Sequence, residues 1–351
     1  MKHKIIVTGG CGYIGSHTVI SLIENDFEVV ILDDLSNSKV QILDRIAKIT
    51  GIKPEFVKVD LKNLAHTKNV LRNYRYADAV IHFAAHKAVA ESVNEPLKYY
   101  QNNFYSLINT LISQQEYGIN NIIFSSSATV YGNPDTLPIT EKHKTRRPFS
   151  PYGNTKKVAE EISEDVVSAW PEFSAISLRY FNPIGAHESG QIGEFPNGTP
   201  NNLMPYITQT AAGVREKLMV FGNDYPTKDG TPIRDYIHVV DLAEAHVIAV
   251  KRLLGKEQET QMEIFNLGTG DGYSVLEIIQ SFEEVTGTKL NHEITNRREG
   301  DVPKLLASTD FAQEKLGWQA KRKLKEMISS SWEWEQNLKM EQTIQKNKNF
   351  N

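Results

Sequence analysis

Tyr152 and Lys156 stand four residues apart in Ser150-Pro-Tyr-Gly-Asn-Thr-Lys156. That spacing stacks both side chains on one face of a helix. Pro151 fixes φ and has no N–H, which suits a helix's first turn. A phenol beside an ammonium is a route to a tyrosine that works as a base. Free tyrosine titrates near 10, and bringing it to about 7 takes roughly 4 kcal/mol. One cation at about 4–5 Å in a medium of effective dielectric about 20 contributes about that much. Taken alone, such a pair is equally an ordinary helix-surface contact. Its weight comes from the elements around it.

A second group of residues sits at the start of the chain. Lys4–Thr8 reads as a buried strand, followed by Gly9-Gly-Cys-Gly12-Tyr13-Ile14-Gly15, a helix to about Asn25 and a second strand over Glu28–Leu32. A glycine fingerprint needs this strand–turn–helix–strand context. Gly9 and Gly12 permit a tight turn and close approach to a pyrophosphate, while Gly15 lets helix and strand pack closely. Free N–H groups at the helix start would face the phosphates. Asp33 lies 18 residues beyond Gly15, where a carboxylate accepts from ribose hydroxyls and repels a 2′-phosphate. The pattern therefore favours NAD over NADP.

Strands continue at Glu55–Val59, which ends at Asp60, and at Ala79–Phe83, which leads into Ala84-Ala-His-Lys87. Asn121–Phe124 then runs into Ser125-Ser-Ser127, and long helical patterns cover Pro96–Tyr117 and Tyr152–Trp170. Strand–helix alternation of this kind implies an α/β fold with a doubly wound, Rossmann-like parallel sheet. Ligand sites belong at the strands' carboxyl ends, where Asp33, Asp60, Lys87 and Ser127 fall. After Tyr180 the chain turns rich in Gly, Pro and Asn, the texture of irregular functional loops. It reads there as a smaller mixed α/β domain, from which Asp235–Leu254 is a candidate to return to the first.

Composition excludes whole classes of function. A net charge of −4 over 351 residues gives no global attraction to nucleic acid or anionic membrane. No apolar run is long enough to span a bilayer, and the N-terminus is too short before its first strand for a signal sequence. The single cysteine, Cys11, rules out an internal disulfide and fits a reducing compartment, so the cytoplasm is expected. Cys11 reads as packing within the glycine loop. His82 and His86 straddle a strand end without a third ligand, which points to structural roles and no metal.

Longer stretches then carry a family resemblance. They are Ala88-Val-Ala-Glu-Ser-Val93, Ser125-Ser-Ser-Ala-Thr-Val-Tyr-Gly132, Arg179-Tyr-Phe-Asn-Pro183, Asn201-Asn-Leu-Met-Pro-Tyr206, Phe221-Gly-Asn-Asp-Tyr-Pro-Thr227, Arg234-Asp-Tyr-Ile-His238 and Arg297-Arg-Glu-Gly-Asp301. With the glycine loop and Tyr152-x-x-x-Lys156, the chain resembles the UDP-glucose 4-epimerase family of extended short-chain dehydrogenases/reductases, from about Lys4 to Trp334. The resemblance implies an NAD-dependent interconversion of UDP-glucose and UDP-galactose. Tyr152 would take the proton from the sugar 4-hydroxyl while C4 passes hydride to NAD. Ser127 would bond the same oxygen, and Lys156 would lower the tyrosine pKa and hold the nicotinamide ribose. The 4-keto sugar would then rotate, and hydride would return to its other face.

The implied cofactor site adds Tyr13 and Ile14 of the glycine loop, and Asp34, Leu35, Ser36, Asn37 and Ser38 after the second strand. Leu61 joins Asp60, and Phe83, Ala84 and Ala85 join Lys87; Asn102 and Phe181 are further candidates. Uridine and diphosphate would be clamped by Asn182, Asn202, Leu203, Phe221, Arg234, Arg298 and Asp301, with Leu305 beside the sugar. Lys87, Ser127 and Tyr152 would face substrate as well as cofactor. Residues 1–181 would form the NAD domain, 182–338 an interleaved UDP-sugar domain, and 339–351 a polar tail that frays. A homodimer through first-domain helices is also implied.

Two departures are informative. Dehydratases and decarboxylases of the superfamily pattern carry an acidic residue just after the strand-end serine or threonine, whereas Ala128 and Thr129 stand here. The family also places a tyrosine, or a small cysteine or serine, where this chain has Leu305. That intermediate bulk leads to an expected preference for UDP-glucose and UDP-galactose over their 2-acetamido counterparts. A broader 4-epimerase and a catalytically silent NAD-binding scaffold are the alternatives.

Overall fold

An apolar run such as Lys4-Ile-Ile-Val-Thr8 is stable as a strand only when both of its faces are covered. The computed structural model describes residues 2–298 and 301–348, so Glu299 and Gly300 of the expected Arg297–Asp301 stretch, and residues 349–351 of the expected tail, lie outside the described residues. The first strands are β1 (Lys4–Thr8), β2 (Glu28–Asp33), β3 (Glu55–Lys58), β4 (Ala79–His82), β5 (Asn121–Ser127) and β6 (Ser174–Tyr180). They are followed by β7 (Asn182–Ile184), β8 (Leu218–Phe221), β9 (Ile233–His238) and β10 (Met262–Leu267). The last are β11 (Gly272–Ser274), β12 (His292–Thr295) and β13 (Lys304–Leu305).

Seven strands form one parallel sheet in the order β10-β6-β5-β4-β1-β2-β3. Successive residues serve opposite layers, as the two-residue period of a strand requires. Ile5, Val7, Ile31 and Ile123 pack with the helices Tyr13–Glu24, Gln41–Thr50 and Val239–Leu254. Ile6, Val30, Leu32 and Ile122 pack with Leu64–Asn73, Pro96–Tyr117 and Pro151–Ala169. This is the Rossmann-like doubly wound sheet that the alternation implies. Beside it, β9 pairs with β7, β11 and β13, and β8 pairs with β12.

Part of the Asp235–Leu254 segment returns to the large sheet. The Val239–Leu254 helix does come back, packing against Tyr13–Glu24, but the strand before it stays in the small sheet as β9. Its neighbouring side chains divide between two cores, Ile237 in the first and Tyr236 in that of the smaller unit. The strand that adds to the large sheet is β10, whose Phe265 and Leu267 are fully buried. The C-terminus differs from expectation. Leu324–Lys348 is one helix, so the stretch from Lys339 does not fray before Lys348. Leu338 is buried with Trp334 and Ala186, Arg45 pairs with Glu341 at 2.5 Å, and Lys339 donates to the Ala212 carbonyl at 2.8 Å.

One buried carboxylate ties the sheet to the helix that carries Tyr152. Glu160 accepts from Ser126 Oγ at 2.5 Å, Ser177 Oγ at 2.8 Å and Arg179 Nη2 at 2.6 Å. Arg179 in turn donates to the Tyr131 hydroxyl at 2.9 Å. Both members of the ion pair are 4% exposed. Such pairs add little net stability over apolar packing, but losing one partner strands the other charge. Arg179→Met should therefore cost about 3–5 kcal/mol, and the joint replacement of Glu160 and Arg179 by methionine should cost less than either single change. Urea midpoints at unchanged m-value check this; single costs that simply add would remove the pair from the role.

Candidate active site

The glycine loop leaves the end of β1 and closes on itself. Gly9 has φ +68°, and a Cβ there would lie 2.8 Å from the Ala84 nitrogen, so glycine is required twice over. A Cβ on Gly15 would lie 2.4 Å from the Gly9 carbonyl oxygen, which fixes how closely helix and loop approach. The helix starts at Tyr13, and its N-cap, Gly12, offers no side-chain cap. The first-turn N–H groups, those of Tyr13, Ile14 and Gly15 among them, are therefore available to an anion.

Asp33 at the end of β2 shapes this loop. Its Oδ2 accepts from the Cys11 N–H at 3.0 Å, and its Oδ1 from the Leu35 N–H at 2.8 Å and Ser38 Oγ at 2.9 Å. Burial pushes its pKa up, and those hydrogen bonds pull it partly back. A carboxylate has roughly four acceptor positions, so one remains for a ribose hydroxyl without rearrangement. Asp34 accepts from the Ser36 N–H and hydroxyl, and Asn37 is exposed at the tip. A backbone cradle with no room for Cβ atoms, an uncapped helix start and a nearly saturated carboxylate together fit a dinucleotide.

The next strand ends add the remaining candidates on this side. Asp60 accepts from the Lys62 N–H at 2.9 Å, and Lys62 Nζ donates to Asn102 Oδ1 at 3.2 Å. Leu61 is buried, leaving only its backbone to a ligand. Phe83 packs on His246, with ring centroids 4.8 Å apart, and Ala84 abuts Gly9. Ala85 follows in the same turn. His82 Nδ1 and Thr8 Oγ1 are 3.0 Å apart, and the His86 ring lies against Tyr99. The Cys11 thiol is buried and pushed well up by desolvation.

At the end of β5, Ser127 is buried, and its Oγ accepts from Thr129 Oγ1 at 3.0 Å. Ser150 caps the next helix, accepting from the Gly153 N–H at 3.1 Å, which sets Tyr152 in the first turn. Burial pushes the Tyr152 phenol above 10, and the Ser127 hydroxyl draws it partly back. Lys156 is 4% exposed, donates to the Ser125 carbonyl at 2.6 Å and is brought down to about 7 by desolvation, with Glu160 opposing. Its ammonium is thus buried one helical turn from Tyr152 and held by the Ser125 carbonyl.

The smaller unit brings its candidates together in pairs. Arg234 forms an ion pair with Asp301 and donates to the Ile233 carbonyl at 2.8 Å. The Arg298 guanidinium lies 4.7 Å from the centre of the Phe221 ring. Leu305 is in register with Arg234 and packs beside Ala128 and Phe181, next to Ser127 in the chain. Phe181 is thus an apolar wall. Asp235, fully buried, accepts from the Thr269, Gly270 and Ala307 N–H groups and so fixes the segment that carries Leu305. Asn182 is exposed on β7, and Leu203 opens the helix that follows Asn202.

Glu194 was missed by sequence reasoning. Its Oε1 accepts from Lys87 Nζ at 2.8 Å and Asn202 Nδ2 at 2.7 Å. It sits in an irregular Gly/Pro/Asn-rich stretch, 107 residues from Lys87, where no period or motif marks it.

The chain is similar to known proteins over nearly its whole length. A family profile described as GDP-mannose 4,6 dehydratase matches residues 6–331. The UDP-glucose 4-epimerase of Bacillus subtilis is 51% identical over 331 residues, 94% of this chain and 96% of that protein. The crystal structure of the enzyme from Stenotrophomonas maltophila, with bound NAD and formylated UDP-arabinopyranose, superposes with a TM-score of 0.92 at 44% identity, covering 96% of this chain and 99% of that one. The Bifidobacterium longum enzyme in complex with NAD+ and UDP gives 0.91 at 42%, covering 95% and 98%. The dehydratase description is the broader one. Beside Ser127 this chain places buried Ala128, and Thr129 with its hydroxyl engaged, neither of them a carboxylate. On sequence, fold and site together, the chain belongs to the UDP-glucose 4-epimerase family of extended short-chain dehydrogenases/reductases.

Proposed function

We propose that the chain interconverts UDP-glucose and UDP-galactose through oxidation at C4, rotation of the 4-keto sugar and return of hydrogen to its opposite face. The observation that carries this reading is the placement of the buried Tyr152 phenol under the influence of Ser127, at the carboxyl end of β5, one helical turn from the buried Lys156. NAD, when bound, supplies the hydride acceptor and a cationic ring. The glycine loop, Asp33 and the first-turn N–H groups hold its adenosine and pyrophosphate. Lys156 holds the nicotinamide ribose.

Tyr152 accepts and returns the proton of the sugar 4-hydroxyl, and Ser127 bonds that oxygen and shortens the transfer. Because the phenol is raised by burial, the proton acceptor gains strength only as positive charge gathers around it. Arg234, Arg298 and Asn202 hold diphosphate and uridine with charge-assisted and amide bonds. The sugar is gripped less than the nucleotide, which leaves it free to turn over. On this reading β1–β6, the Val239–Leu254 helix and β10 carry the cofactor, and the smaller unit carries the nucleotide sugar. With one buried cysteine and no described helix long and apolar enough to cross a membrane, we place the reaction in the cytoplasm.

Leu97, Val93 and Tyr105 are 79%, 58% and 50% exposed along the helices Val89–Asn94 and Pro96–Tyr117. We read this apolar face as the contact of a homodimer. Sedimentation should give twice the chain mass, and Leu97→Glu should halve it; a monomer at working concentration would retire the dimer.

Assay of UDP-galactose without added NAD tests the whole reading, with release and identification of the bound nucleotide. Tyr152→Phe should fold and retain NAD yet lose at least about a hundredfold in kcat; near-normal turnover would take the tyrosine out of the chemistry. Lys156, titrating at about 7, loses its charge as pH rises through that value. The pH–rate profile should break there, and Lys156→Met should abolish the break; its survival in the variant would assign it elsewhere. For Leu305, kcat/KM should favour UDP-glucose over UDP-N-acetylglucosamine by at least about tenfold, the scale of a one-pocket steric difference. Equal values would contradict the role of its bulk.

A further inference from the structure

Glu194 joins groups that come from opposite sides of the site. Lys87 extends from the turn after β4, the cofactor side, with its ammonium 5.8 Å from the ring centre of Tyr13 in the glycine loop. Asn202 precedes the Leu203–Ala211 helix of the smaller unit. Both donate to the same carboxylate oxygen. The Glu194 side chain is 11% exposed, whereas that of Lys87 is 39% exposed. The anion is therefore the fixed member, and the long cation is the one being held.

The backbone around Glu194 is pinned from several directions. Trp334 Nε1 donates to the Glu194 carbonyl at 3.0 Å. A Cβ on Gly193 would lie 2.5 Å from the Trp334 ring, so the segment approaches that indole as only glycine can. Phe195 meets the same indole edge-on at 5.9 Å, and Lys39 Nζ lies 3.4 Å from the centre of the Phe195 ring. Lys39 directly follows Ser38 in the loop after β2. The carboxylate is thus set on a platform assembled from the C-terminal helix and the cofactor-side loop. A group held this way restricts what it binds before any ligand arrives, and that lowers the ordering cost of binding.

We propose that Glu194 is a positioning residue that presets Lys87 and Asn202 together, so that one carboxylate oxygen serves both cofactor retention and uridine nucleotide binding. This rests on the reading of the site given under the proposed function. It makes Glu194 neither an acid nor a base in the reaction. Its effect is on binding, and it acts on two ligands at once.

The test uses the full chain with its resident cofactor, UDP as the calorimetric probe, and Glu194→Gln, which keeps the shape and removes the charge. The variant should bind UDP about tenfold more weakly and lose NAD about tenfold faster during gel filtration, the scale of a typical coupling between sites. KM for UDP-galactose should rise by a similar factor, with kcat per bound NAD and Tm unchanged. A loss confined to one ligand, or to neither, overturns the proposal. So does a drop in Tm and kcat at constant KM, which marks a merely structural role. Should Glu194→Gln not fold, Glu194→Asp, which keeps the charge and withdraws the carboxylate from both donors, must give the same two-sided loss. If the unaltered chain holds NAD and UDP normally and the variant matches it, only the proposal fails; if the unaltered chain holds neither, the functional reading fails with it.

Discussion

A carboxylate enclosed in a protein must be met by donors, and the Glu160 side chain is met by two strands of the large sheet. Ser126 comes from β5, and Ser177 and Arg179 from β6, while Glu160 itself is one turn beyond Lys156 on the helix that opens at Pro151. The demand is stringent because an unpaired charge at that depth is costly. It leaves one arrangement of helix against sheet. Lys156 then reaches the Ser125 carbonyl, and Tyr152 comes within reach of Ser127. Pairing in the interior thereby decides where the Tyr152 and Ser127 side chains lie.

A second constraint comes from the parallel sheet. Every strand of it releases its loop at the same edge, so residues scattered from Gly9 to Ser127 share one rim. The smaller unit pairs β9 with β7 and β13 and brings Leu305 of β13 against Ala128 and Phe181 at that rim. The order of those strands depends on Asp235, whose buried carboxylate gathers the N–H groups of two separate loops. Each of the two sheets is thus ordered by one buried acid, Glu160 in the first and Asp235 in the second.

Much of this was legible in the residues. Gly9, Gly12 and Gly15 are spaced for a turn whose geometry is local, and Tyr152 and Lys156 are read directly from the helical repeat. The strand-end rule put Asp33 and Ser127 at the ends of β2 and β5, with Asp60 and Lys87 in the turns after β3 and β4. What stayed hidden depends on three-dimensional proximity. No local period marks Glu194 as the partner of Lys87, or Trp334 as the brace beneath it. Lys156 was read as a cation acting on Tyr152, but its dehydration and its bond to Ser125 are consequences of packing. The polar Lys339–Lys348 stretch was read as loose, yet its helix is anchored by Arg45, a residue nearly three hundred positions away.

The edge strand of the large sheet carries an implication for how the chain is made. β10 lies beyond Leu254, although its neighbour β6 ends at Tyr180. During synthesis the backbone of β6 must wait, its outer hydrogen-bonding groups unmatched, until Leu267 has left the ribosome. An unmatched edge of that kind invites pairing with another nascent chain.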